Sequence, residues 1–411
     1  MLIVDSPQPL RPPLPIVWTV LYLPFGVLGG VVGVALTFLA TRHGLSVSEG
    51  AWLGAASLMV NWMKWSWAPI VDVTLSPKRW YVLSTALSGL GVAAMAAIPL
   101  GPSTLNLLLV IIALASLVNS VVGMSVEALM AHVTPPEERG RVSAWFQAGN
   151  LGGAGLGGGL GLFLLQTLSE PWIVGAIFGV GFLLCSLALR TLPDIAAEHR
   201  EGGVVGAMRS FVGDIRGLAV DRGGLLSAII CFLPIGTGAA SGVLTQASVA
   251  AKWGAGDTEV ALVQGGVAGV VTAVGCFGGG WFCVRYPPRT VYAGVGVVLA
   301  LLAFGMAASP ATVTMYVFWN LVYSLAVGLA YAAFTAVVLD AIGKGSAATK
   351  YTLYATLSNF PIWWVGLLLG AAADRWGVRS MLIAEAGLGL VGVALFGLAR
   401  GGVARLRPSS A

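Results

Sequence analysis

The feature that most restricts this chain is the recurrence, from Ile16 to Leu398, of apolar runs of about 20 residues or more. Each is long enough to cross a hydrocarbon layer of roughly 30 Å as a helix, a length that a soluble core helix rarely needs. Composition agrees: 57% of residues are hydrophobic, 9% are charged and the mean hydropathy is +0.89. A soluble domain carries about a quarter charged residues. Water is therefore not the main solvent of this protein.

Splitting the chain at charged and Pro/Gly breaks predicts helices at Ile16 to Ala40, Gly50 to Val73, Arg79 to Ile98, Thr104 to Ala131, Arg141 to Gln166 and Pro171 to Arg190. A polar stretch, Thr191 to Arg222, separates them from Gly223 to Ala250, Thr258 to Val284, Arg289 to Ala308, Ala311 to Ile342, Ser346 to Gly370 and Val378 to Ala399. The expected fold is an all-α integral membrane protein of twelve spans in two six-helix halves, 16–190 and 223–399. A stub (1–15), a linker (191–222) and a tail (400–411) complete it. Within the linker, Met208, Phe211, Val212, Ile215 and Leu218 recur at helical spacing, which predicts an amphipathic surface helix. The Pro-rich first fifteen residues hold one cation, Arg11, and no small-residue cleavage site follows the first apolar run. The first helix is expected to stay uncleaved.

Orientation follows from the basic residues. With the N-terminus inside, 17 of the 22 Lys and Arg fall on the cytoplasmic side, Arg42, Lys252, Arg375 and Arg379 fall opposite, and Lys64 lies inside a helix. That bias predicts both termini in the cytoplasm. The charge of +5 is scattered through short breaks, a distribution suited to membrane orientation and not to a nucleic-acid partner. Cys185, Cys231, Cys276 and Cys283 lie in or beside apolar segments without metal-ligand spacing and read as packing residues. His43, His132 and His199 are far apart and form no metal motif, so neither a cofactor nor a metal is expected.

An internal repeat runs at an offset of 210 residues. Leu23-Pro24-Phe25-Gly26 returns as Leu233-Pro234-Ile235-Gly236, Arg42-His43-Gly44 as Lys252-Trp253-Gly254, Ser48-Glu49 as Thr258-Glu259, and Lys78-Arg79 as Pro288-Arg289. Two parallel repeats that each begin inside are related by an axis along the membrane normal and can rock about a central site.

Ionisable groups inside a bilayer are costly unless paired or wet, so each is a functional candidate. Lys64 and Glu127 sit roughly 12 and 15 Å from the inner ends of their helices. In the repeat frame they correspond to Val274 and Val337, so one half alone carries the charges. The two are expected to meet or to share a wet cavity, Lys64 attracting an anionic group and Glu127 carrying a proton. A structural ion pair or a snorkelling lysine is the competing explanation. Asn61, Lys64, Ala68 and Asp72 stripe one face of the second helix. Gln147, Asn150, Asn119, Gln246, Gln264, Asn320 and Asn359 can hydrogen-bond a polar solute or simply tie helices together. Glu385 is expected to snorkel near the outer end of the last helix. Gly149, Gly153, Gly157 and Gly161, four residues apart, predict a close helix contact. Gly153, Gly155 and Gly158 also spell GxGxxG, but without the strand a dinucleotide fold requires. Trp62, Trp65 and Trp67 crowd the inner half of the second helix, as cavity packing or as an interfacial belt.

The run Lys64 to Asp72 (KWSWAPIVD), with Tyr22-Leu23-Pro24-Phe25-Gly26 before it, resembles the peptide/acetyl-coenzyme A transporter branch of the major facilitator superfamily. The segment Ser346 to Lys350 running through Tyr354 to Asn359 is similar to the eleventh helix of that branch. The resemblance implies alternating access and proton-driven movement of a bulky polar or anionic solute, of muropeptide, siderophore or acyl-coenzyme A type. It also implies an inner-membrane location and a gating loop, of which Asp72, Lys78 and Arg79 are kept while Ala68 and Val73 replace a Gly and a base. In the second half Cys283 stands where the Asp would be, and the better match, Gly370 to Arg379 with Asp374 and Arg375, falls on the outer side.

The expectation is therefore a monomeric carrier whose partners are a small-molecule substrate, protons and lipid. Its cavity is expected among helices 1, 2, 4, 5, 7, 8, 10 and 11. A uniporter or exporter fits the same pattern. The rival class, a membrane enzyme or sensor acting on a lipid-linked substrate, needs a loop constellation of nucleophile or base, and these loops are short and nearly free of one.

Overall fold

The structure is a computed structural model that describes residues 13–135, 139–195, 222–342 and 347–405, with isolated positions between 203 and 213. The predicted linker helix at Met208, Phe211, Val212, Ile215 and Leu218 lies outside the described residues.

Among those residues the chain makes twelve helical spans and no strand. The first six are α1 (Ile16–Arg42), α2 (47–74), α3 (Pro77–Ala97), α4 (Leu105–Val133), α5 (Arg139–Thr167) and α6 (Trp172–Thr191). The second six are α7 (222–250), α8 (257–285), α9 (Pro288–Ala308), α10 (Val313–Ile342), α11 (347–376) and α12 (378–405). No loop separates α11 from α12, and only Gly377, at φ 83°, turns the chain between them. Leu107, Val110, Leu114 and Leu117 are exposed along one face of α4, a surface that only hydrocarbon solvates well.

Three local irregularities shape the centre. Pro69 opens the helical segment Ala68–Thr74, and its missing N–H and ring crowd the preceding turn, so Lys64–Ser66 tightens to a 3₁₀ turn. The expected continuous stripe on α2 is thereby broken. Asn61 and Lys64 face the cavity described below, Ala68 packs with Val71, Val121 and Met124, and the Asp72 side chain lies outside the described residues.

The seventh span is not the continuous helix predicted. Arg222–Phe232 ends, residues 233–239 leave helical geometry with Gly236 and Gly238 at φ 61° and 63°, and Ala240–Leu244 resumes. The equivalent Leu23-Pro24-Phe25-Gly26 stays helical in α1. What differs is the residues after it, Val27-Leu28 in one half and Thr237-Gly238 in the other, since Gly alone adopts the left-handed region without strain.

The third irregularity is a close approach. A Cβ on Gly157 would collide with the Val27 carbonyl and one on Gly153 with the Leu23 carbonyl, so the glycine stripe of α5 lets α1 lie backbone to backbone against it. The two halves keep a shared tie: Tyr81 donates to the Leu21 carbonyl at 2.8 Å, and Tyr292 to the Ile235 carbonyl at 2.8 Å. Each anchors the third span of its half to the first.

Candidate functional site

Between the halves lies a cavity of about 410 Å³. Lys64 from the 3₁₀ turn of α2 and Glu127 from α4 meet in its wall, with Nζ 3.2 Å from Oε1 and 3.4 Å from Oε2. Both are buried, at 5% and 3% exposure. Tyr22 sits on the same carboxylate, its hydroxyl 3.4 Å from Oε1, and its ring stacks with Phe25 and packs against Phe146. A buried pair of opposite charges is tolerated because their mutual attraction offsets much of the desolvation cost, and either alone is strongly unfavourable.

Of the amides singled out from the sequence, Asn61, Gln147, Asn150 and Asn359 also line the cavity. Asn150 donates to Gln147 Oε1 at 3.1 Å, and Gln147 donates across the halves to Thr335 at 3.2 Å. Asn119 borders the cavity while donating to the Phe25 carbonyl at 3.1 Å. Asn320 and Gln246 do not line it. Asn320 is buried and donates to the Tyr316 carbonyl one turn back, and Gln246 is buried against Gly50 with neither amide atom hydrogen-bonded. The Gln264 side chain lies outside the described residues.

Sequence reasoning missed the aromatic side of the cavity, Tyr292, Tyr331, Phe334 and Tyr351 from the second half. One expected helix is absent from the wall: among the described residues α8 contributes nothing and α9 supplies Tyr292. Gly269 of α8 instead packs on the α5 backbone at Gly155, with Trp145 edge-on to Phe277, so this helix closes the flank.

The ends of the spans differ in how they are tied. On the face opposite the start of α1, Asp374 of the second half accepts from the Val47 and Ser48 amides, at 3.0 and 2.7 Å, and so caps α2 of the first half. These are N–H groups that no helical carbonyl can reach, and a carboxylate is favoured there. Ser46 and Glu49 close the same end as a capping box. Arg42 at the end of α1 is ion-paired with Asp257 at the start of α8, and Gln166 donates to Asp257 at 2.8 Å. Thr41 accepts from the Ala247 amide at 2.9 Å.

On the face where α1 starts and α12 ends, the described ion pairs stay within one half. Lys78 holds Asp194 at 2.8 Å and the Leu192 carbonyl at 2.6 Å, and its hydrogen bond and charge hold the Asp194 carboxyl below its ordinary value. Arg289 binds Asp340 at 3.3 Å and Ser227 at 2.9 Å. Arg79 and Arg375 are exposed. Of the proposed gating residues, Asp374 thus joins the halves while Lys78 ties its own half together.

Glu385 does not snorkel. It is buried where α12 crosses the break in α7, accepting from Tyr323 at 2.5 Å and Thr237 at 3.5 Å. Its place near the outer end of the last helix suggested a shallow site, but the side chain is buried among α7, α10 and α12.

Two six-helix repeats around a cavity whose wall buries an ion pair form the architecture of a membrane solute carrier. The chain belongs to the Major Facilitator Superfamily, whose family model matches residues 19–365, and it is accordingly a multi-pass transporter and not an enzyme. Among solved structures it is similar to a D-xylose-proton symporter, with a TM-score of 0.69 and 13% identity over 93% of this chain and 96% of that one. It is also similar to the xylose transporter XylE from E. coli in a partially occluded inward-open conformation, with a TM-score of 0.67 and 15% identity over 93% and 95% of the two chains. At such identities the likeness is one of fold.

Proposed function

We propose that this protein is a proton-coupled secondary transporter of an anionic small molecule, and that Lys64 and Glu127 couple the two. The observation that carries the reading is a buried ion pair standing in the wall of the cavity between the halves. An arriving anionic group competes with Glu127 for Lys64. Once displaced, the carboxylate is left without a counter-charge in a poorly solvated site, and binding a proton removes that cost. Anion and proton therefore enter together, and neither binds well alone. No nucleotide-binding element supplies another source of energy in the sequence.

The face that bears the termini is the cytoplasmic side of a bacterial inner membrane in this reading, on the strength of the Lys and Arg bias, and the protein works as a monomer. The ties at Asp374 and Asp257 then close the external side, leaving the state that faces the cytoplasm. The motif resemblance to the peptide/acetyl-coenzyme A branch favours muropeptide-like, siderophore-like or acyl-coenzyme A solutes in this reading. The cavity of about 410 Å³ lies near the small end of ordinary ligand sites, so the smallest anionic members of that set come first.

The test is uptake into proteoliposomes under an imposed pH gradient, screening muropeptide fragments, siderophores, acyl-coenzyme A compounds and small organic anions. The expected result is accumulation that follows the gradient and disappears in Lys64→Ala and Glu127→Gln. Accumulation that persists in both variants would remove the pair from the mechanism.

A further inference from the structure

We propose that Glu385 is a second protonation site, separate from the Lys64–Glu127 pair, which exchanges its proton with the central cavity through Thr237. Three observations converge on it. The side chain is buried, and its Oε2 has no hydrogen-bond partner, whereas Oε1 accepts from Tyr323 and Thr237. Thr237 lies in the broken stretch of α7 and itself lines the cavity, so one hydroxyl separates the buried acid from the solute space. The break also leaves this backbone free to move without unwinding a helix, since Gly236 and Gly238 flank Thr237 in left-handed geometry.

The charge around Glu385 decides its state. Among the described residues, Tyr323 faces it from α10, and the hydroxyl of Thr237 and the backbone amide of Ala240 face it from α7. Helix α9 meets this stretch through Ala300 and Ala303, packed with Ala386, while its own Arg289 and Tyr292 lie about two turns or more further along. On α12 itself Arg379 is exposed, nearly two turns before Glu385. No cation among these groups offsets a negative charge. A bare charge enclosed in this way is costly, and a bound proton removes that cost. The hydroxyls of Tyr323 and Thr237 both lie on Oε1, so the proton sits on Oε2, and rotation of the carboxyl brings it to Thr237 for exchange with the cavity.

The site stands in the second half, beside the stretch that follows the repeated Leu-Pro-x-Gly, whereas Glu127 stands in the first. Each half thus owns one acid against the cavity wall, one paired with a base and one with a tyrosine. Any use of Glu385 in coupling rests on the transport reading above, but its protonation does not.

Infrared difference spectra of the full chain in lipid, recorded as the pH is stepped from acid to alkaline, read the site without a solute. Wild type should show a protonated-carboxyl band that alkali bleaches, that is lost in Glu385→Gln and that shifts in Tyr323→Phe. In Thr237→Val the band should remain while its exchange with deuterated water slows. Absence of the band from wild type at every pH would overturn the proposal, as would a band unchanged in Glu385→Gln or unmoved in Tyr323→Phe. Exchange in Thr237→Val at the wild-type rate would overturn the route to the cavity. None of these readouts depends on solute uptake, so failure here leaves the assignment of Lys64 and Glu127 to be decided by the liposome experiment.

Discussion

Lys64 and Glu127 are 63 positions apart in the chain, yet their side chains meet at 3.2 Å, because Pro69 forces the tight turn that aims Lys64 across at α4. Each is the other's ion-pair partner, and both are buried. Lys64→Ala alone should cost about 3–5 kcal/mol of stability by stranding a buried carboxylate, and Lys64→Met with Glu127→Gln should restore most of it. Thermal unfolding in detergent would measure both. Transport should fail in the single and in the double variant alike. Recovery of uptake with recovery of stability would mark the pair as scaffold.

The cap that Asp374 places on α2 is the second relationship open to test. Asp374→Ala removes two charge-assisted hydrogen bonds from an exposed helix start, worth about 1 kcal/mol in favour of the closed face. Ala51→Cys, placed one turn inside that face, should then react with a membrane-impermeant thiol reagent about fivefold faster. An unchanged rate would mean that the face is held by other contacts.

Gln246 predicts the opposite effect. Its amide is fully buried between the halves with neither polar atom paired, an arrangement that disfavours the state in which it occurs. Gln246→Leu should stabilise the closed face by about 1–3 kcal/mol, because an apolar group of similar shape has no bond to miss. Labelling of Ala51→Cys should slow and turnover should fall. Faster labelling would show that the amide holds the halves together through a partner of its own.

How much of this was legible in the sequence depends on what each residue answers to. Span number and the glycine stripe of α5 could be read because hydropathy and four-residue spacing are local signals. The candidacy of Lys64 and Glu127 could be read because charge is scarce in a chain of this kind. Their contact could only be expected, since the turn that makes it depends on Pro69 and on packing against α4. Glu385 was misplaced because depth was judged from its distance to the helix end, while the break in α7 that receives it depends on φ at two glycines. The fate of the amides was also tertiary: Gln147 and Gln246 look alike in sequence, but only one of them reaches the cavity. The tyrosines of the second half were overlooked because a tyrosine in an apolar helix carries no mark of which way it faces.

The close approach of α1 and α5 supplies a test that carries its own control. Gly157 and Gly152 lie on the same helix, but a Cβ on Gly157 meets the Val27 backbone and one on Gly152 meets nothing. Gly157→Ala should therefore push the two helices apart and cost about 1–3 kcal/mol. Gly152→Ala should be neutral or gain up to about 1 kcal/mol from helix propensity. Because α1 brings Tyr22 and α5 brings Phe146 to the cavity wall, the first substitution should also disturb the aromatic cluster beside Glu127 and lower uptake. Equal unfolding temperatures for the two variants would mean that the stripe serves flexibility of the helix and not contact between backbones.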